Sequence, residues 1–173
     1  DFLARGAIRK RVTPSFTDFP LSFAKAKIRE KLHSEWQDAY TSAEQGSVTR
    51  DFCPEIETAL RFGRVCERSY NLTQALTGHG AFRAYLFRFK VILDPGCHCD
   101  GQSAQDIYHV LFECPLFLDL RRKWSSSMCS GVCNMDCVRQ VMKDEESLRR
   151  LARFLNDIVV RVRDLNEAQT RTN

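Results

Sequence analysis

The sequence has no apolar run long enough to cross a bilayer. Its longest purely aliphatic stretches are Val91–Leu93 and Ile158–Val160, whereas a spanning helix needs about 20 predominantly apolar residues. No basic segment followed by an apolar stretch opens the chain, so neither secretion nor membrane insertion is expected, and an intracellular setting is. The chain opens on Asp1 rather than Met, and is expected to be a processed product or a piece of something longer. Adjacent aspartates are absent, which removes the paired carboxylates that hold two magnesium ions in a polymerase site. A Cys-x-x-Cys pair is also absent, which argues against a zinc deaminase. Lysine and arginine are missing from Val91 to Leu120, where Asp94, Asp100, Asp106, Glu113 and Asp119 stand alone. By contrast, Arg61, Arg64, Arg68, Arg83, Arg88 and Lys90 face only Glu67 in the preceding stretch. A basic block therefore abuts an acidic one, an asymmetry hidden by the modest net charge of +4.

What is present is ordinary for a soluble globular chain: 173 residues, 43% hydrophobic and 28% charged. That is enough for one cored domain with flexible ends. The eight cysteines, in a chain without a secretory signal, read as thiols or metal ligands rather than as a disulfide framework. The sequon Asn71-Leu72-Thr73 has no meaning inside a cell.

Helical periodicity dominates and strand alternation is almost missing, so the fold class is mainly α. Residues 1–22, with Arg5, Arg9, Lys10 and Arg11 before Pro14 and Pro20, read as a basic linker. From Phe23, the positions Ile28, Leu32, Trp36, Ala39, Tyr40 and Ala43 recur at steps of three and four up to Gly46, predicting one long amphipathic helix. Pro54 suits the first turn of a second helix carrying Ile56, Ala59 and Leu60. A third runs from about Ser69 to Leu76 and is stopped by Gly78-His79-Gly80. Phe82, Tyr85, Leu86 and Phe89 then predict a buried aromatic face with Arg83, Arg88 and Lys90 off it. Farther on, Pro115 opens a helix burying Phe117, Leu120 and Trp124 and exposing Arg121, Arg122 and Lys123. Residues 23–128 form the expected helical domain, with its core motif at 70–125, and residues 129–144 a cysteine-containing connector. Residues 145–173 form a terminal helix and tail, in which Leu148, Leu151, Leu155, Ile158, Val162 and Leu165 make a short heptad seam. Fewer than three heptads favour packing within the domain over a coiled coil.

The chemistry sits in Cys97, Cys99, His109 and Cys114, spaced Cys-x-Cys-x9-His-x4-Cys, with Pro95-Gly96 before and Asp100-Gly101 inside to turn the backbone. Thiolate and imidazole are the ligands that tetrahedral zinc prefers, and four of them close its shell. A closed shell leaves no place for an activated water, so one structural zinc is expected. His98, between two ligands, is expected to point away from the metal and lie exposed. Cys129, Cys133 and Cys137 recur every fourth residue, but Gly131 weakens a helix there and no fourth ligand is near, so a second metal site is not expected.

Leu76-Thr77-Gly78-His79-Gly80, Tyr85-Leu86-Phe87-Arg88-Phe89, the Cys-x-Cys and Tyr108-His109-Val110-Leu111-Phe112-Glu113-Cys114-Pro115 together resemble the reverse-transcriptase-associated zinc knuckle of non-LTR retrotransposon proteins. The match is nearest to type-1 elements that insert into ribosomal RNA genes. The Trp36 helix and Phe52-Cys53-Pro54 resemble the segment upstream of that knuckle. Gln105-Asp106 departs from the family, which more often has an acidic residue and Thr there.

The resemblance implies the carboxy-terminal region of a polyprotein with an upstream endonuclease and reverse transcriptase. The partners it implies are those domains and element RNA or target DNA, acting in the nucleus, with no catalysis in this segment. The knuckle's own surroundings are acidic, so phosphate contact is expected through Arg83, Arg88 and Lys90 on one side and Arg121, Arg122 and Lys123 on the other. His79 can touch a phosphate or cap the preceding helix. The rival reading is a host-type protein-interaction module, stapled by zinc and pairing through the 148–165 seam.

Overall fold

The computed structural model describes residues 19–67, 69–128 and 134–170, and the chain divides between Ala39 and Tyr40 into two compact units. The linker expected at residues 1–22 lies almost entirely outside the described residues. Helix α1 (Leu21–Ser42) runs through the described part of the first unit. None of its side chains is buried, and Phe23, Ile28, Leu32 and Trp36 are exposed. Apolar residues at helical spacing share a side of the helix, but spacing alone does not supply a cover for it.

The second unit begins with Tyr40, whose hydroxyl donates to the Cys53 carbonyl at 2.8 Å. It continues through α2 (Ser47–Phe52), α3 (Ile56–Val65), α4 (Tyr70–Thr77) and α5 (Arg83–Arg88). After a non-helical segment come a π-helical turn (His109–Glu113), a 3-10 turn (Pro115–Phe117), α6 (Leu118–Met128), α7 (Met135–Val141) and α8 (Glu145–Thr170). Among the described residues the only β pairing is an isolated antiparallel bridge between Gly96 and Ala104. Among the described residues, no helix is long and apolar enough to cross a membrane.

The boundaries follow from side-chain chemistry. Ser69 caps α4 by accepting from the Leu72 amide at 3.1 Å, and Gly78, at φ +67°, ends it in the left-handed conformation that glycine tolerates. Asn134 caps α7 by accepting from the Cys137 amide at 2.9 Å, and Asp144 accepts from the Ser147 amide at the start of α8.

Helix α8 organises the unit, packing against α3, α4, α6 and α7. Leu148, Leu151, Leu155, Ile158 and Val162 are fully buried on it. Phe154 and Val159 are buried too, which widens a two-position seam into the broader stripe of a helix set in a globular core. The Phe154 ring stacks on Trp124 of α6, with centroids 4.9 Å apart. The apolar face that the pairing module needs for a partner is thus covered by the chain's own helices.

Candidate metal centre

Four ligand atoms converge where the non-helical segment meets the π-helical turn. The Sγ atoms of Cys97, Cys99 and Cys114 and a ring nitrogen of His109 all lie within 4.8 Å of one another. Cys97 and Cys99 sit on a tight strap closed at its base by Gln105 N donating to Pro95 O at 2.9 Å and Cys97 N donating to Ser103 O at 2.7 Å. The Asp100 carboxylate braces the tip, accepting from the amides of Gln102 and Ser103 and from the Ser103 hydroxyl. These bonds hold it well below the usual carboxylate range. The strap is so close that a Cβ on Gly96 would lie 2.6 Å from the Gly101 carbonyl oxygen.

The other two ligands depend on the π-helical turn. In an α-helix, residues five apart are separated by about 140° around the axis, so His109 and Cys114 would face different ways. Instead the Cys114 amide donates to the His109 carbonyl at 2.7 Å, an i to i+5 bond whose wider turn brings both side chains to one side. Cys114 leaves the turn with φ −57° and ψ 122°, and Pro115 follows at the first position of the next turn.

The donor set fits a tetrahedral ion. With Zn–S near 2.3 Å and Zn–N near 2.0–2.1 Å, tetrahedral edges are about 3.8 Å between sulfurs and about 3.6 Å from sulfur to nitrogen. The Cys97 and Cys114 sulfurs are 3.6 Å apart, and the Cys99 sulfur lies 3.3 Å from His109 Nε2. Nδ1 of His109 lies 3.3 Å from the Glu113 carboxylate. A proton on Nδ1, donated to Glu113, turns the Nε2 lone pair to the sulfurs, the arrangement that orients metal-bound histidines. Burial pushes the Cys99 thiol up to about 12, and the neighbouring Cys97 and Cys114 sulfurs push the same way. Crowded thiols of this kind relax when a dication takes their protons' place.

Behind the ligands, Arg121 is buried, its guanidinium donating to the carbonyls of Val110 at 3.0 Å, Glu113 at 3.4 Å and Cys114. The exposed, phosphate-facing position expected of it is corrected. The π-helical turn ends with carbonyls that have no helical partner, and the guanidinium fork of Arg121 supplies the donors. Arg83 is likewise engaged, donating to the Asp94 carbonyl at 2.8 Å and carboxylate at 3.1 Å with its side chain only 20% exposed. Arg88, Lys90, Arg122 and Lys123 are exposed.

His98 does point away from the ligands, but it is not exposed. Half-buried, it donates to the Asn166 side-chain oxygen of α8 at 3.0 Å. Asn166 also donates to the Ala81 carbonyl at 2.7 Å and exchanges two amide bonds with Gln105. Gln105 is fully buried, and its side-chain oxygen also accepts from the Arg83 amide at the start of α5. This pair of amides ties the strap, α5 and α8 together, and sequence reasoning missed it, as it missed Glu113. The departure at Gln105 marked the position, but nothing in the sequence named Asn166 as its partner.

The aromatic face expected on α5 is only partly buried. Phe82 is fully enclosed, Tyr85 and Leu86 are half-buried, and Phe89 is 58% exposed. For His79, capping falls to the backbone: the His79 amide donates to Gln74 O at 3.1 Å, while its imidazole is exposed against Tyr85. Cys53 and Cys66 are buried free thiols, with Cys53 pushed up to about 11 by burial. Cys129 and Cys133 lie outside the described residues, and Cys137 is disulfide-bonded rather than the thiol or ligand expected.

Neither a known family profile nor a solved structure matches the chain. Curated proteins do. A 115 kDa protein in the type-1 retrotransposable element R1DM of Drosophila melanogaster is 31% identical over 153 residues, covering 82% of this chain and 14% of that protein. A retrovirus-related Pol polyprotein from the type-1 element R1 of Bradysia coprophila is 35% identical over 102 residues, covering 56% of this chain and 10% of the polyprotein. A counterpart in Nasonia vitripennis is 27% identical over 94 residues, 54% of this chain and 24% of its own length. The chain therefore spans a quarter or less of each of these relatives. The chain's homologues are thus proteins of R1 type-1 retrotransposable elements, Pol polyproteins among them, and it is similar to a segment of each.

Proposed function

We propose that this chain is the nucleic-acid-binding, carboxy-terminal part of a retrotransposon reverse transcriptase and endonuclease polyprotein, stapled by one structural zinc ion and without catalytic residues of its own. The observation that carries the reading is the convergence of Cys97, Cys99, His109 and Cys114 within 4.8 Å. Four protein ligands fill a tetrahedral shell, so the ion orients structure and activates no water. On this reading it fixes the strap and the π-helical turn between α5 and α6, whose exposed Arg88, Lys90, Arg122 and Lys123 meet phosphates. Arg83 and Arg121 serve the fold instead. The partners are element RNA or target DNA and the polymerase and endonuclease domains of the same polyprotein, which carry out target-primed reverse transcription in the nucleus.

The test is a mobility-shift titration of the chain with single-stranded RNA, duplex DNA and nicked duplex at several salt concentrations. Affinity should fall linearly on logarithmic axes, with a slope of about −0.9 per phosphate contact on duplex and about −0.7 on single strands. Neutralising Arg88, Lys90, Arg122 and Lys123 together should flatten it. A stable dimer with no affinity for any of these nucleic acids would support the protein-interaction module instead.

A further inference from the structure

A cavity of about 740 Å³ opens on the surface between the start of α2, the end of α4 and α5. Two of the sequence motifs, Gly78-His79-Gly80 and Tyr85 to Phe89, meet there. His79, Tyr85, Arg88 and Phe89 line one side, and Glu44, Ser47 and Thr49 line the other. The rings form a row: His79 to Tyr85 at 4.5 Å with planes inclined by 31°, and Tyr85 to Phe89 at 4.8 Å with planes inclined by 50°. The row is anchored at its middle, because Tyr85 is half-buried against the core, and open at both ends, because His79 and Phe89 are exposed. The Arg88 guanidinium stands 5.8 Å from the Phe89 ring centre.

The backbone is built to present this row. Gly78 and Gly80 both have positive φ, +67° and +81°, so the chain turns sharply on either side of His79 and holds its ring outward. Any Cβ on Gly80 would lie 2.0 Å from the Gln74 side chain. Any other residue there would push the Gln74 side chain aside and hold its own backbone at a strained φ of +81°. A row of rings serving only the core has no need of two open ends, a flanking arginine and an adjoining cleft lined by the Ser47 hydroxyl and the Glu44 carboxylate.

We propose that the His79–Tyr85–Phe89 row is a stacking platform for unpaired bases of a single-stranded polynucleotide, with Arg88 on the adjoining phosphate. The inference rests on the nucleic-acid-binding reading above and narrows it to a strand form. Bases in a duplex already stack on one another and present no open face to a ring, whereas every unpaired base does. A planar base fits against the outer face of His79 or Phe89, and polar groups of the cleft are in place for its edge.

The test uses the 173-residue chain and oligonucleotides of one sequence as single-stranded RNA, single-stranded DNA and duplex, each carrying 2-aminopurine, whose fluorescence falls when it stacks. Single strands should bind with quenching, and more tightly than duplex. Phe89→Ala and His79→Ala should each weaken single-strand binding by roughly 5- to 150-fold, the range for loss of one base–aromatic stack, and remove quenching without changing the salt slope. Phe89→Trp and His79→Phe, which keep a ring, should restore both, whereas Arg88→Ala should lower the slope and leave part of the quenching. Equal affinity for duplex and single strand, with both alanine variants unaffected, overturns the platform and leaves the broader binding reading standing. Absence of binding by the unaltered chain overturns both. Comparison of the RNA and DNA arms reports whether the 2′-hydroxyl contributes.

Discussion

Arg121 separates a structural role from a binding role within one basic run, and its replacement tests the distinction. Its guanidinium is buried and donates to the carbonyls of Val110 and Cys114, with a longer contact to Glu113. A hydrogen bond from a charged donor contributes about 1.5–3 kcal/mol, and the 3.4 Å contact is too long to count fully. Two good bonds, less what water recovers at the vacated carbonyls, give an expected loss of about 2–4 kcal/mol for Arg121→Ala. Arg121→Lys keeps the charge but not the fork that reaches several carbonyls at once, so it should recover less than half of the loss. The assay is urea unfolding of the metal-replete protein, reading the midpoint at constant slope, alongside the salt dependence of nucleic-acid binding. Arg122→Ala serves as the control, expected to leave the midpoint in place and reduce the salt slope. An Arg121→Ala protein with an unchanged midpoint and a reduced salt slope would refute the carbonyl clamp and return Arg121 to the binding surface.

Leu155→Ala, at a fully buried position on the central helix, should destabilise the domain by about 2–5 kcal/mol, independently of protein concentration; a loss seen only in a dimer would restore the coiled-coil reading. Gly96→Ala forces a Cβ against the Gly101 carbonyl oxygen, and the overpacking should cost about 1–3 kcal/mol and loosen metal retention against a chelator. Asp119 is held down to about 2 by the hydrogen bonds it accepts from Arg161. Its folded pKa lies below the ordinary 3.8, so its contribution is present above about pH 4 and lost as pH falls toward 2. The Asp119→Asn variant should therefore lose less stability than the parent across that interval in thermal melts, and parallel profiles would remove the Asp119–Arg161 contact from the account.

The sequence made the helical class legible wherever apolar spacing ran long enough, as in α8. It also singled out the four residues that the fold brings together, since Cys-x-Cys beside turn residues has little use in a core. What escaped it was tertiary. Periodicity could not say that the α1 stripe goes uncovered, nor that a run of three bases in α6 splits between a buried Arg121 and exposed neighbours. The seven residues of α7 are too few to set a clear period, yet Val138 and Val141 enter the core. Gln105 and Asn166 lie 61 positions apart, and a polar pair at such separation leaves no local signature. The π-helical turn leaves no mark of its own in the sequence, because the i to i+5 bond that aligns His109 with Cys114 depends on how the segment packs.

The account turns on the metal, and elemental analysis of the purified chain and its single variants tests it most directly. A structural zinc contributes roughly 10–16 kcal/mol in small fingers at neutral pH, comparable with the whole stability of a domain at about 5–15 kcal/mol. Removal should therefore unfold at least the strap and π-helical turn. The prediction is one zinc per chain, lost on replacing Cys97, Cys99, His109 or Cys114 by Ser or Ala and retained in His98→Ala. A metal-free chain that stays fully folded, or zinc kept by His109→Ala and lost by His98→Ala, would contradict it.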